Sequence, residues 1–196
     1  KAEKLADYDG FEARRAEAAT RGKLRGIGVA FAIEQSAAPI EETAEIRFDG
    51  SGHCTILMGT LNQGQGHDVT FKQLINEMLG VDLDNITLLQ GDTDVVAHGR
   101  GTFGSRSAGN GGAALQMASD RIIEHGKKIA AHMLEAADTD IAFDDGNFSI
   151  AGTDRSVRIE DVAQTAYALM VLPPDIEPTL VAFAAFKPKA PTFPNG

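Results

Sequence analysis

Cysteine and the large aromatic residues are scarce in this chain. Among its 196 residues there are one cysteine, no tryptophan and two tyrosines. A single cysteine excludes a disulfide framework within the chain and a cysteine-ligated metal cluster. We therefore expect a protein of a reducing compartment, the cytoplasm, and we interpret Cys54 as a small core residue.

Long apolar runs and an excess of positive charge are also missing. No uninterrupted apolar stretch approaches the roughly eighteen residues that span a bilayer, so we predict no membrane insertion. The formal net charge is −10 and there is no lysine–arginine run, which argues against nucleic acid as a partner. Serine-nucleophile, H-E-x-x-H and P-loop motifs are lacking too, which leaves hydrolase functions without a nucleophile or a metal.

Glycine, in contrast, is concentrated in two loops, residues 59–67 and residues 99–112. Backbone that adopts positive φ, or that lies close to another group, needs glycine. Each loop leads into a predicted helix, and helix N-termini offer free N–H groups and partial positive charge. We infer that both loops contact one polar, partly anionic ligand. Side chains between the glycines add further donors and acceptors: Gln63, Gln65, Thr102, Ser105 and Ser107.

Hydrophobic periodicity predicts the secondary structure around these loops. Residues 3–21 are predicted to form a polar helix, and the alternation over residues 25–34 predicts a strand. Residues 43–48 and 53–58 are predicted to form a hairpin around an Asp-Gly turn. The other predicted elements are a helix from His67 to Gly80, a strand over 86–89, a helix from about Ser107 to Ala137, a strand pair over 147–150 and 157–159, a helix over 160–169 and a strand over 179–186.

Two short acidic or glycine patterns have competing interpretations. Gly99, Gly101 and Gly104 match G-x-G-x-x-G, but no long apolar strand precedes them, so a dinucleotide-binding βαβ unit is not favoured. Asp92 and Asp94 form either a divalent-cation pair or, as we favour, a pair that orients the loop by binding backbone N–H groups.

Three histidines also have two interpretations each, and one arginine has a single expected role. His67 either donates to a phosphate or orients Gln65, or it faces solvent in the first helical turn. His125 and His132 lie seven residues apart, and we favour surface or packing roles over a metal pair. Arg106 is the cation that we expect to meet a phosphate locally.

Three motifs, taken as a set, resemble one family of proteins. They are Gly59-Thr60 followed by Gln63-Gly-Gln-Gly-His67, then Gly91-Asp-Thr-Asp-Val-Val96, then Gly101-Thr-Phe-Gly-Ser-Arg-Ser107. Their order and spacing resemble the molybdopterin-binding large subunit of molybdenum hydroxylases, the xanthine dehydrogenase and aldehyde oxidase family. Within that family they look most like the large subunit of aerobic carbon monoxide dehydrogenase.

The resemblance implies an α+β molybdenum-cofactor-binding domain, a mixed sheet with packed helices, over residues 23–196. Residues 1–22 are then an N-terminal surface helix, and the chain is expected to be a fragment truncated at both ends. The implied cofactor is molybdopterin cytosine dinucleotide. The implied partners are an iron–sulfur subunit, a FAD subunit that carries electrons onward, and the remainder of the large subunit.

The resemblance also implies roles for individual residues. Gln65 and its flanking glycines would hydrogen-bond the cofactor near the metal, residues 102–107 would wrap its pterin and phosphate region, and Phe103 would lie toward the substrate. No residue here matches the family's catalytic glutamate motif or its substrate loop, so none is assigned a catalytic or metal-ligating role. The expected cofactor-binding residues are Gln63, Gly64, Gln65, Gly66, His67, Thr102, Phe103, Gly104, Ser105, Arg106 and Ser107.

The resulting hypothesis is a cofactor-binding fragment of a molybdenum-dependent oxidoreductase, inactive when isolated. In the full enzyme, a small substrate would be oxidised at molybdenum with oxygen derived from water. The alternatives are a non-catalytic module that binds a nucleotide or phosphate, and a purely structural assembly domain. The cofactor-binding hypothesis and the nucleotide- or phosphate-binding alternative both require Gln65 and Ser105 to lie in one cleft.

Overall fold

A computed structural model describes residues 1–32, 35–168 and 170–190 of the chain. The chain divides into two units, residues 1–34 and residues 35–196, and the predicted start of the cofactor-binding domain at residue 23 stays a prediction. No helix in the described part of the chain is long and apolar enough to cross a membrane.

The first unit holds two short helices, α1 (Ala2–Leu5) and α2 (Phe11–Thr20), in place of the single helix predicted over residues 3–21. The backbone leaves the helical region at Asp7, where φ is 45°. Arg14 binds the Asp7 carboxylate and so holds the turn between the helices. The sequence predicted a polar surface segment, and the two helices are exposed as expected. Ala18 is their one buried residue.

The strand predicted over residues 25–34 is wrong for residues 25–32, which are irregular. Leu24 and Phe31 are almost fully exposed, and Val29 is about half exposed. A strand is stabilised by a hydrogen-bonded neighbour and by burial of one face. Alternation by itself supplies neither. Ile33 and Glu34, at the end of the prediction, lie outside the described residues.

The predicted hairpin is confirmed as β1 (Glu42–Phe48) and β2 (Cys54–Met58). Their antiparallel register places Ala44 opposite Met58 and Phe48 opposite Cys54. At the turn, the Asp49 carboxylate accepts hydrogen bonds from the N–H of Ser51, at 2.8 Å, and from the N–H of His53, at 3.2 Å. The hairpin ends at Met58, so it delivers the chain directly into the first glycine loop.

Two further strands complete a mixed sheet, as the α+β prediction requires. β3 (Ile86–Leu89) pairs in parallel with β2, and β7 (Val181–Phe186) pairs antiparallel with β1. The strand order is β3-β2-β1-β7. Because β2 and β3 are parallel, their carboxyl ends meet at one edge, and the glycine loop after β2 and the aspartate segment after β3 begin side by side.

Helices α3 (His67–Leu79) and α4 (Gly112–Leu134) supply the core that packs with this sheet. The predicted C-terminal glycine of α3 is confirmed, since Gly80 has φ of 63°. A π-helical turn over Ser107–Gly111 precedes α4. The helix ends at Leu134, because the next residue, Glu135, has φ of 50°, and it therefore stops short of the predicted end at Ala137. Fully buried apolar residues of this core include Ile46, Ile56, Phe71, Ile75, Leu115 and Ile122.

A second sheet of three strands lies after α4. It contains β4 (Ile141–Asp144), β5 (Asn147–Ile150) and β6 (Ser156–Arg158) in that order, followed by α5 (Ile159–Tyr167). Sequence reasoning found β5, β6 and α5 and missed β4. The end of the predicted last helix, Leu169, lies outside the described residues.

The two histidines of α4 have packing roles. Nε2 of His125 lies 3.0 Å from the carbonyl of Glu177, and Nε2 of His132 lies 3.0 Å from the carbonyl of Val171. A carbonyl only accepts, so each Nε2 carries a hydrogen and donates. The pair therefore fastens the segment before β7 to the helix.

Candidate cofactor-binding site

The two glycine loops touch through their backbones. The N–H groups of Arg100 and Gly101 both donate to the carbonyl of Gly59, at 3.1 and 3.0 Å. A Cβ on Gly59 would lie 2.9 Å from the Cα of Gly99, and a Cβ on Gly99 would lie 2.7 Å from the carbonyl oxygen of Gly59. Contacts this short do not admit a side chain, so both glycines are needed where the loops cross.

Thr102 makes a second connection between the loops. Its Oγ1 accepts from the N–H of Leu61 at 3.0 Å and donates to the carbonyl of Leu61 at 2.7 Å. The hydroxyl of Ser107 donates to Oγ1 of Thr102 at 3.3 Å. The hydroxyl of Thr102 is thus occupied in joining the loops.

Side chains from both loops line one cleft of about 380 Å³. Gln65 and His67 come from the first loop and the start of α3, and Ser105 and Ser107 come from the second loop. The loops therefore converge as the ligand hypothesis requires. Whether these residues hold a ligand stays a prediction. The remaining lining residues are Thr70, Phe71, Thr102 and Ala108.

The first loop is shaped by positive φ angles and by local hydrogen bonds. Gly64 and Gly66 have φ of 110° and 77°, and a Cβ at either position would meet nothing within 4 Å. These two glycines are therefore required by backbone conformation rather than by crowding. The side chain of Gln65 accepts from the N–H of Gln63, while its Nε2 makes only a 3.5 Å contact with the carbonyl of Leu61. An amide hydrogen of Gln65 remains available to a ligand.

Helix α3 begins at this loop without a side-chain cap. Its N-cap residue is Gly66, and no side chain in the described part of the chain bonds to the first-turn N–H groups. The carbonyl of Gly66 instead accepts from Val69 and Thr70. An uncapped helix start leaves N–H donors and partial positive charge at the edge of the cleft.

Arg106 lies in the protein interior, not at the surface of the cleft. Its side chain is fully buried, and its guanidinium forms an ion pair with Glu42 at 2.9 Å. The same group donates to the carbonyls of Glu41, at 3.0 Å, and Gly101, at 2.7 Å. The guanidinium carbon also lies 4.3 Å from the centre of the Phe103 ring.

These contacts change the role expected of Arg106. The sequence led us to expect a guanidinium that meets a phosphate, but this side chain has no exposed surface and already binds three oxygens. It holds the second loop against the beginning of β1. Burial raises the pKa of the Glu42 carboxyl, and the positive charge of Arg106 opposes that rise. The residue as a whole is 0% exposed, so a contact between Arg106 and a ligand stays a prediction.

The apex of the second loop presents a ring outward. Phe103 is 47% exposed although its inner face rests on Arg106. Ser105, two residues on, has φ of 51°, a conformation that non-glycine residues rarely adopt. Its carbonyl accepts from the N–H of Ala37 at 3.1 Å, which stabilises this geometry. The loop is therefore held in one shape by contacts behind it.

His67 is 5% exposed, so the interpretation as a solvent-facing residue is wrong. Its ring packs against Phe71, with centroids 5.0 Å apart. Its Nδ1 lies 3.2 Å from Nε2 of Gln90, a residue at the end of β3. The histidine is thus a buried wall of the cleft rather than part of its rim.

The third motif joins the other two at a smaller pocket of about 160 Å³. Gly91, Asp92 and Thr93 line it together with residues 58–61 and with Val96, Gly99 and Gly101. The Asp92 carboxylate accepts from the N–H of Asp94 at 2.9 Å, which is the loop-orienting contact that we favoured. Within the described residues no cluster of three or more His, Cys, Asp and Glu side chains is placed to hold a metal ion.

The whole chain, residues 1–196, matches the family model of the molybdopterin cofactor-binding domain. The chain belongs to this family. It is 36% identical to the carbon monoxide dehydrogenase large chain of Afipia carboxidovorans over 92% of its own length, and 33% identical to the nicotine 6-hydroxylase large subunit of Paenarthrobacter nicotinovorans over 99%.

Solved structures give the same result for the fold. Carbon monoxide dehydrogenase from Oligotropha carboxidovorans superposes with a TM-score of 0.76 at 33% identity over 98% of this chain. Quinoline 2-oxidoreductase from Pseudomonas putida 86 superposes with a TM-score of 0.71 at 30% identity over 96%. The chain spans only about a quarter of each relative, 24% and 26% of the two curated proteins and 26% of both solved chains.

Three residues of this molybdopterin-domain site were not found from the sequence. Glu42 binds Arg106, Gln90 contacts His67, and Asn110 is fully buried in the π-helical turn. The side chain of Asn110 donates to the carbonyls of Ala38 and Ile40, at 3.0 and 2.9 Å. Asn110 lies among Gly109, Gly111 and Gly112, and this local sequence gives no sign that its side chain is buried. The other two contacts depend on how the strands pair.

Proposed function

We propose that this chain contributes the cofactor-holding loops of a molybdenum-dependent oxidoreductase, and that the cofactor is molybdopterin cytosine dinucleotide. The observation that carries the proposal is the shared cleft, in which Gln65 and Ser105 from two distant loops lie together. A cleft built by both loops suits a ligand too large for either loop alone.

The chemistry of the cleft supports a polar, phosphate-bearing occupant. The uncapped start of α3 offers N–H donors to an anion. Gln65 retains a free amide hydrogen, and the hydroxyl of Ser105 adds a further donor and acceptor. Gly64 and Gly66 have open space where a Cβ would be, so a flat ring system could approach the backbone closely. These features fit a pterin dinucleotide.

Each part of the site has a separate task in this proposal. Gln65, Ser105 and Ser107 hydrogen-bond the cofactor, residues 102–107 surround its pterin and phosphate region, and Phe103 borders the substrate side. Gln63 and the glycines shape the first loop. When bound, the cofactor supplies the molybdenum at which oxidation takes place, and the chain itself binds and orients it. The buried Glu42–Arg106 pair keeps the second loop in place.

The activity of the complete protein is a further part of the proposal. The similar proteins are dehydrogenases and hydroxylases named as large chains or large subunits. We place this chain in such a subunit of a cytoplasmic enzyme, which oxidises a small substrate with oxygen from water. Electrons would pass to FAD and iron–sulfur partners. A module that binds only a nucleotide or phosphate is the competing function.

Cofactor content of the complete subunit tests the proposal. The subunit would be produced in a host that makes the cofactor, with Gln65→Ala and Ser105→Ala combined, and molybdenum and released pterin would be measured per chain. Loss of one hydrogen bond to a charged group costs about 1.5–3 kcal/mol, or roughly ten- to hundredfold in affinity. The double variant should therefore lose most of its cofactor.

The matched control replaces two exposed residues outside the cleft, Gln164 and Ser156, by alanine. It should retain the cofactor at the level of the unmodified subunit. Full occupancy in the double variant would remove the assignment of these loops. A nucleotide or phosphate found in place of a molybdenum–pterin group would favour the competing function.

A further inference from the structure

Buried His67 and half-buried Gln90 form a hydrogen-bonded pair beside the cleft, and the direction of their hydrogen bond can be deduced. His67 is 5% exposed and lines the cleft at the first position of α3. Its Nδ1 contacts Gln90 at 3.2 Å, while its Nε2 has no hydrogen-bond partner among the described residues. One ring nitrogen is therefore held from behind, and the other is left for an occupant of the cleft.

The amide of Gln90 is fixed by two contacts of its nitrogen. Nε2 lies 2.5 Å from Oγ1 of Thr60, which is itself buried, and 3.2 Å from Nδ1 of His67. A primary amide has two hydrogens, one for each contact. The carbonyl oxygen of Gln90 is buried and has no partner among the described residues.

The opposite orientation of the amide is less favourable. It would place the NH₂ group where the oxygen now lies, and two buried hydrogens would then lack acceptors. Unpaired buried N–H groups are rarer in proteins than carbonyls with an unfilled acceptor site. Gln90 therefore donates, and Nδ1 of His67 accepts.

We propose that Gln90 is a positioning residue that keeps the hydrogen of neutral His67 on Nε2, so that His67 donates from the wall of the cleft to a bound anionic group. A neutral imidazole carries one hydrogen, and the bond made by one nitrogen decides the state of the other. The inference rests on the proposed function in taking the occupant to be anionic. It adds a buried side-chain donor to the free N–H groups at the start of α3.

The tautomer of His67 can be measured in the 196-residue chain without any cofactor. Long-range ¹H–¹⁵N NMR spectra of ¹⁵N-histidine protein at about pH 8 distinguish a protonated ring nitrogen from an acceptor. We expect Nε2 of His67 to be protonated and Nδ1 to show the shift of a hydrogen-bonded acceptor. A protonated Nδ1 in the unmodified chain would overturn the proposal.

Two substitutions test the part played by Gln90. In Gln90→Glu the carboxylate can only accept, so Nδ1 of His67 should become protonated. In Gln90→Leu the donor is gone, so the Nδ1 signal should move to that of an acceptor without a hydrogen bond. The control Gln164→Glu makes the same change at an exposed position of α5 and should leave the His67 signals unchanged. An unaltered Nδ1 signal in both Gln90 variants would overturn the proposal.

Inorganic pyrophosphate is the probe for the donor itself. Its addition should shift the Nε2–H signal of His67 in the unmodified chain, and Gln90→Leu should bind it roughly tenfold more weakly. No response of Nε2 to pyrophosphate would refute the donor role. The tautomer results do not depend on cofactor content, so a failure here is distinguishable from a failure of the proposed function.

Discussion

Replacing Arg106 by methionine should destabilise the second glycine loop and the whole domain. Methionine keeps much of the apolar volume but removes the ion pair with Glu42 and the donors to the carbonyls of Glu41 and Gly101. Removing one partner of a buried ion pair typically costs about 3–5 kcal/mol. Domains of this kind are stable by only about 5–15 kcal/mol, so the loss is a large share of the total.

Urea unfolding measures this cost. With a slope of about 2–3 kcal/mol per M, the midpoint should fall by about 1–2.5 M. Amide hydrogen exchange should also become faster over residues 99–107, because the loop loses the contacts that hold it against β1. This local readout separates release of the loop from a uniform loss of stability.

The matched control is Arg100→Met, six residues away in the same loop. Arg100 is 46% exposed and pairs with Glu41 at the surface, where water and salt screen the interaction. Its removal should leave the urea midpoint unchanged within error. Equal and small effects of the two substitutions would refute the role of Arg106 as the anchor of the loop.

Three other tests address separate parts of the structure. Because the folded-state pKa of Glu42 is raised by burial, the stability linked to this carboxyl is present below its ordinary pKa and is lost as pH rises through the raised value. The free-energy cost of Glu42→Gln should therefore shrink as the pH rises above the ordinary pKa of a glutamate, and a cost that stays constant over that rise would contradict the shift. Gly126→Ala should lower the free energy of unfolding by about 1–3 kcal/mol, because its Cβ would lie 2.5 Å from the Phe148 ring. Gly112→Ala in the same helix meets only ordinary contacts and should instead stabilise by about 0.5–1 kcal/mol; loss of stability in both variants would contradict this. Burial raises the pKa of the Cys54 thiol to about 12, so a thiol reagent at about pH 8 should label it only after unfolding, and fast labelling of the folded chain would place Cys54 elsewhere.

The elements that the sequence predicted well are those whose signal is local. The β1–β2 hairpin has an Asp-Gly turn between two strands. Helix α3 has an apolar stripe and ends at Gly80, in the left-handed conformation that glycine favours. The glycine loops were placed correctly because positive φ and backbone crossing both demand glycine at fixed positions.

The predictions that were wrong depend on partners distant in the chain. Residues 25–32 alternate like a strand, but no neighbouring strand pairs with them in the described part of the chain. β4 has only four residues and is defined by its pairing with β5. Neither result can be obtained from periodicity, since register and pairing are tertiary properties.

The same contrast between local signals and distant contacts applies to the side chains of the site. Gln65 and Ser105 were chosen from the sequence and share the cleft. Arg106 was also chosen, but a charged side chain in a loop gives no sign of whether it points outward or into a buried ion pair. Its partner Glu42 lies 64 residues earlier. Gln90 could not be recognised because its contact with His67 depends on β3 lying parallel to β2.

The position of molybdenum in the complete subunit tests the central claim most directly. Anomalous diffraction from crystals of the cofactor-loaded subunit, measured at the molybdenum absorption edge, locates the metal, and the density around it locates the pterin. We predict one molybdenum peak per chain, with pterin density that contacts both the loop of Gln65 and the loop of Ser105. A pterin bordered by neither loop would contradict the account.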